Sequence, residues 1–282
     1  MLICLFMTDQ VMPALFIGHG SPMNTLESNR YTQGWRSLGE SVPRPRAILS
    51  ISAHWYIGAT AVTTMAHPRT IHDFYGFPQA LFDYQYPAPG LPDLFEEIVE
   101  AIRPQQVMAD SDQWGLDHGT WSVLAHMFPD ADVPVVQLSL NSDRPQEYHL
   151  ALGAALSPLR ERGVLILGSG NVVHNLRRVD WKMPGQGYDW AERFDDAVVS
   201  AMSDPAGDIL SLARHPDYAL AVPTPDHYLP LLYLAGLAQA AGETPATLLR
   251  GYEYGGLSMT SFGLGLTAQD PLLAPLRRPA GI

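Results

Sequence analysis

One cysteine in 282 residues, Cys4, excludes an intramolecular disulfide framework and any Cys-ligated zinc site. A metal bound here must take His, Asp or Glu. Basic residues are also scarce: 17 Lys and Arg stand against 29 Asp and Glu, and no Lys/Arg cluster offsets the net charge of −12. That balance argues against nucleic acid and anionic membrane surfaces as partners. No apolar run approaches the roughly 20 residues that span a bilayer. The apolar residues 1–7 lack a basic n-region and a small-residue cleavage site, so they read as part of an N-terminal extension (1–12) and not as a signal peptide. The expected location is the cytoplasm. Gly and Pro, 24 each, fall short of low-complexity composition, and the chain is expected to fold throughout. No HExxH motif, Walker lysine or six-residue dinucleotide fingerprint is present, which removes the commonest zincin, P-loop and Rossmann readings. Gly18-His19-Gly20-Ser21-Pro22 is no nucleophile elbow either, because Pro22 fills a glycine position.

What the chain has is histidine at the ends of apolar runs. Leu15-Phe16-Ile17-Gly18-His19-Gly20 reads as a buried strand that turns sharply and delivers an imidazole. Ile48-Leu49-Ser50-Ile51-Ser52-Ala53-His54 repeats the pattern, and Val164-Leu165-Ile166-Leu167-Gly168-Ser169-Gly170 leads through a glycine turn to His174. Ligands of open α/β sheets sit beyond the carboxyl ends of strands, so His19, His54 and His174 are expected to converge on one crevice. His227 joins them as a polar residue at the head of an apolar helix, where burial demands a partner.

Strands alternate with amphipathic helical stretches, so the expected class is α/β: a single domain (13–270) with a central mixed sheet flanked by helices, the metal site at the carboxyl ends of strands, and a C-terminal tail at 271–282. Apolar spacing predicts helices near 29–38, 94–102, 118–128, 145–162, 190–202, 208–214 and 224–241. Strands are predicted near 59–65, 106–109, 133–140, 247–254 and 257–263, besides the three that lead to histidine. Residues 67–90, rich in aromatics and proline, read as a long functional loop walling the site.

A single histidine is more often a hydrogen-bonded core or surface residue than a ligand. His67, His126, His149 and His215 are read that way. His118, between Asp117 and Gly119 at a helix start, is read equally as a cap residue or as an acid/base group. His72, Tyr75 and Phe77 of the aromatic loop, with Trp55 and Tyr228, are candidate substrate contacts whose flat faces suit an aromatic ring, core packing being the alternative. Arg177 and Arg69 are the cations placed to meet a substrate carboxylate. Neutral imidazoles from separate strands make an open site for Fe(II) or Zn(II). On the residues alone, a zinc-dependent hydrolase and a non-catalytic metal or tetrapyrrole binder of chelatase type stay open beside an oxygenase.

Six ordered motifs narrow this. Gly-His-Gly-Ser-Pro at 18–22, Ser-Ala-His-Trp at 52–55, His-Asp-Phe-Tyr-Gly-Phe-Pro at 72–78, Gly-Leu-Asp-His-Gly-Thr-Trp at 115–121, Gly-Ser-Gly-Asn-Val-Val-His-Asn at 168–175 and Pro-Thr-Pro-Asp-His-Tyr at 223–228 together resemble the class III extradiol ring-cleaving dioxygenases, in the 4,5-DOPA dioxygenase-type branch. The resemblance runs from about residue 13 to 263. It implies a non-haem Fe(II) in a single α/β domain, with Zn(II) in isolated relatives. It implies His19, His54 and His227 as metal ligands and His174 as acid/base or fourth ligand, with His118 as a second proton-transfer group. The implied reaction inserts both atoms of O2 into a catechol ring next to the diol, giving a muconic semialdehyde, and the implied partners are a small aromatic diol and O2. Oligomeric state is not legible in the sequence.

Overall fold

The computed structural model describes residues 11–266. Most of the expected N-terminal extension and the tail at 271–282 lie outside them. The expected α/β class is what folds: a single domain built on one mixed six-stranded sheet flanked by helices. Its strands are β1 (Ala14–Gly18), β2 (Ala47–Ser52), β3 (Val135–Gln137), β4 (Val164–Gly170), β5 (Ala246–Leu249) and β6 (Ser261–Leu264), in the order β3-β2-β4-β1-β6-β5. The first four strands in that order run parallel, whereas β6 is antiparallel to β1 and β5 to β6.

Strand periodicity divides the core in two. Ala14 and Phe16 of β1 face a cluster with Leu49, Ile166 and the apolar helices on that side, while Leu15 and Ile17 face Ile48, Leu165, Trp35 and Trp121 on the other. Burial on both faces is why β1, β2 and β4 read as continuous apolar runs and not as alternating ones. The first cluster includes α4 (Gln146–Ala155) and α6 (Leu229–Ala241); the second includes α1 (Arg30–Ser41) and α3 (His118–Met127), with α2 (Leu94–Ala101) and α5 (Asp189–Ser203) completing the helices on the first side. The two helices α4 and α6 approach backbone to backbone through glycines: a Cβ on Gly153 would sit 2.4 Å from the Tyr233 carbonyl oxygen, and one on Gly236 2.0 Å from that of Leu150.

Several predicted boundaries shift for local reasons. The expected strand at 133–140 leaves the sheet after Gln137, because Leu138 still donates to Ser50 but Ser139 donates to Ala61, and Leu140–Asn141 then pairs with Tyr56–Ile57. The helix expected over 145–162 is two, Gln146–Ala155 and Pro158–Glu161, since Pro158 has no N–H to continue the ladder. The strand expected at 247–254 breaks at Gly251, whose φ of 151° suits glycine alone, into β5 and a short ladder of Tyr252–Glu253 with Leu257–Ser258. The helix expected from 224 starts only at Leu229, and 208–214 forms a 3-10 turn over Ile209–Arg214. The long loop 67–90 holds one four-residue helix, Gln79–Phe82.

Candidate metal and catalytic site

The parallel strands aim their carboxyl ends at one crevice. His19 follows β1 directly, and its N–H donates to the Gly170 carbonyl at the end of β4, which fixes the turn; Gly20, at φ 62°, takes the chain away in the left-handed region. His54 lies two residues past β2, with Ala53 N–H donating to the Ser169 carbonyl. His118 opens α3, whose N-cap is Asp117: this buried carboxylate accepts from the Thr120 N–H, the Ser52 hydroxyl and the Gln137 amide. His174 follows β4, its N–H donating to Ala221. His227 precedes α6, and its carbonyl accepts from the Asn171 N–H at the top of β4.

Three imidazoles meet with their outer nitrogens held. His19 Nδ1 lies 3.0 Å from Ser169 Oγ, His54 Nδ1 is 3.0 Å from Asp73 Oδ2, and His227 Nδ1 is paired with Asp226. Their other nitrogens turn inward: His19 Nε2 and His54 Nε2 are 3.2 Å apart, and His227 Nε2 is buried without a partner. One ligand atom from each of the three falls within 4.8 Å of the others. An outer acceptor at Nδ1 fixes tautomer and ring orientation and leaves a basic Nε2, the usual arrangement of metal-bound histidine. The orphaned Nε2 of His227 and the close approach of the two others therefore fit a single cation that prefers nitrogen ligands.

A second group overlaps the first. Asp73 bridges His54 and His118, its Oδ1 lying 3.0 Å from His118 Nδ1, though not aligned for a hydrogen bond there, and accepting from the His118 backbone N–H. His54, Asp73 and His118 are themselves close enough to share an ion. His174 stands in neither group; its ring stacks on that of His227 with centroids 3.4 Å apart and planes 4° off parallel.

Burial sets the charge state. It depresses the pKa of His19 and of His227, with the neighbouring imidazoles adding to the effect, and brings His174 down to about 4. Burial and the nearby His54 likewise lower His118. His54 goes the other way: burial alone would lower it, but the hydrogen bond and charge of Asp73 raise it. Asp73, where burial favours the neutral acid, is nevertheless held well below the carboxylate range by His118 and His54.

A cavity of about 470 Å³ opens over these groups, lined at depth by His19, His54, Asp73, His118, His174 and His227. Its outer wall is Phe74, Tyr75 and Phe77 of the aromatic loop, together with Leu176, Val179, Trp181, Tyr254 and Leu257. The expected contacts Tyr75 and Phe77 thus line it, and the other five do not. Trp55 is buried and stacks on Trp114; His72 donates to the Tyr84 carbonyl and packs against Phe74 and Trp121. Tyr228 is buried against Phe194 and Tyr218, and Arg177 sits on the short turn Leu176–Arg178, where Leu176 lines the cavity instead. Arg69 turns to the Gln113 carbonyl. His126 and His149, expected to be structural, bond the Asn24 and Asn141 carbonyls respectively. Sequence reasoning missed the roles of Asp73, Asp226 and Ser169, although the first two sit beside histidines inside the motifs 72–78 and 223–228. It also missed Trp181 and Tyr254, which no motif marks.

Comparison with known proteins agrees with this geometry. Residues 13–263 match the family described as the catalytic LigB subunit of aromatic ring-opening dioxygenase. The chain is 47% identical over 266 residues to a 4,5-DOPA dioxygenase extradiol of Escherichia coli K12, covering 93% of this chain and 97% of that one, and 36% identical to one of Beta vulgaris, covering 83% and 89%. A crystal structure of an uncharacterized Escherichia coli K12 protein superposes with a TM-score of 0.78 at 43% identity, over 90% of this chain and 99% of the other. The hydrolase and chelatase readings give way to an oxygenase: the chain belongs to the LigB family of class III extradiol, aromatic ring-opening dioxygenases.

Proposed function

We propose that the protein cleaves a catechol ring next to its diol, placing both atoms of O2 in a muconic semialdehyde, at an Fe(II) held by His19, His54 and His227. The observation that carries this reading is the convergence of the three inward nitrogens, each ring pinned from behind by Ser169, Asp73 or Asp226, at the floor of a cavity walled by aromatic rings. Iron held by these three residues would supply a Lewis acid for the diol and a redox route between the diol and O2. Zn(II) suits the same nitrogens in the isolated protein but has no accessible redox step.

The remaining work falls to the chain's own groups. A diol gives up protons on binding, and His174, neutral at pH 7 because burial depresses it, accepts one and later returns it to an oxygen of the opening ring. His118, with Asp73 beside its Nδ1, is the second proton-transfer group. Phe74 and Phe77 flank the diol-bearing ring and hold water off it, while the rigid carboxyl ends of β1, β2 and β4 fix the reacting geometry. The substrate class is a small aromatic diol, a set that includes DOPA, and the expected location is the cytoplasm; no described helix is long and apolar enough to cross a membrane.

The test is oxygen uptake by protein stripped of metal and reloaded anaerobically with Fe(II), followed at an electrode and by visible absorbance on adding L-DOPA and simple catechols. The expected result is one O2 consumed per catechol with a yellow ring-opened product. Absence of uptake with every catechol, from protein that binds Fe(II) stoichiometrically, would remove the reading.

A further inference from the structure

The cavity is larger and less polar at its mouth than a single catechol requires. Its floor is spent on the imidazoles and Asp73, yet about 470 Å³ lies above it, within the range that takes a ligand of more than one ring. The mouth is apolar and exposed: Tyr75 is 91% accessible, Trp181 74% and Leu176 65%. Large side chains left in water around a concave site mark a binding surface.

One of the rim residues is also held in place at a cost. Tyr254 has φ 53°, a left-handed backbone that non-glycine residues avoid, although Gly255 stands next to it. Its carbonyl accepts from both Asp180 and Gly256 N–H, while Gly255 donates to Gln186 and accepts from Tyr188. That ladder ties the Tyr254 turn to the segment bearing Trp181, and brings the two rings together with centroids 4.7 Å apart at 54°. Strain persists where the surroundings over-determine it, and here it presents a paired aromatic face at the cavity mouth.

Charge points the same way. Among the described residues lining the cavity there is no Lys or Arg, and its carboxylate, Asp73, is committed to His54 and His118. A substituent carrying a carboxylate would find no cation in that wall.

Resting on the proposed ring-cleaving activity, we infer that the preferred substrate is a catechol whose substituent is a neutral, flat aryl group, seated against Trp181 and Tyr254, in preference to one bearing an amino-acid side chain. The diol occupies the floor and the second ring the rim.

The test compares 4-phenylcatechol with catechol and L-DOPA on the Fe(II)-loaded enzyme and on Trp181→Ala and Trp181→Phe. The wild type is expected to show kcat/KM for 4-phenylcatechol about tenfold or more above both others, carried by KM, which is the scale of one buried aromatic pair. Trp181→Ala should bring that ratio to about one, and Trp181→Phe should restore most of it. Equal or higher kcat/KM for L-DOPA, or a ratio unchanged in Trp181→Ala, overturns the inference while leaving ring cleavage standing. Anaerobic fluorescence titration of the same proteins with 4-phenylcatechol needs no turnover. Saturable quenching in the wild type that weakens about tenfold in Trp181→Ala supports the aryl seat even if ring cleavage fails, and equal binding by both proteins removes it.

Discussion

Each of the three converging imidazoles is one half of a pair whose other half sits behind it. Asp73 carries the most, since it meets the Nδ1 of His54 and lies beside that of His118, and its own ionised form is favoured only because those two rings outweigh its burial. A buried histidine outside the site shows what happens without an acid. His149 donates Nε2–H to the Asn141 carbonyl and pairs at Nδ1 with the Tyr233 hydroxyl, and burial brings it to about 4, which keeps the ring neutral at pH 7. The folded protein therefore binds fewer protons at this ring than the unfolded chain, whose histidine titrates near 6.5. Its stabilising effect is complete above pH 6.5 and is lost as pH falls toward 4. Between pH 7 and pH 5 the wild type should lose about 2 kcal/mol more unfolding free energy than His149→Gln, measured by urea denaturation. Parallel losses in the two proteins would contradict this protonation state.

At the scale of elements, the strand ends place the histidines and one helix start locks them together. In α3, Gly119 packs where a side chain has no room: an added Cβ would sit 2.6 Å from Ser52 Oγ and 2.8 Å from His54 Cδ2. The Ser52 hydroxyl cannot yield easily, because it donates to Asp117, the helix cap. Alanine would favour the helix by about 1 kcal/mol, so this substitution separates helix stability from site geometry. Gly119→Ala is expected to weaken Fe(II) binding about tenfold or more by displacing the His54 ring, read by competition with a chelator. Unchanged affinity would show that α3 does not set the position of His54.

Across the whole molecule, legibility followed chain locality. The strands leading to His19, His54 and His174 could be read because burial on both sheet faces leaves unbroken apolar runs, and a histidine at the end of such a run is conspicuous. The apolar helix after His227 was legible for the same reason. Asp73 lay inside a quoted motif, yet its role depends on a loop crossing to strand β2 and helix α3, a contact that no local spacing encodes. Trp55, His72 and Tyr228 misled because an aromatic or imidazole ring fills a core as readily as it lines a cavity, and only packing against Trp114, Trp121 and Phe194 distinguishes the two. The Trp181 and Tyr254 side of the rim was missed. Trp181 and Tyr254 are 73 residues apart in number and meet only through the hydrogen bonds between their two turns.

Anaerobic titration with Fe(II), with bound metal counted by elemental analysis, tests most directly whether three imidazoles from separate segments of the chain share one ion. The wild type should bind one iron per chain. His19→Ala and His227→Ala should bind almost none, and His174→Ala should still bind close to one. Full iron retention by folded His19→Ala would contradict the site, whereas loss of iron from His174→Ala would make that ring a ligand and contradict its proton-transfer role.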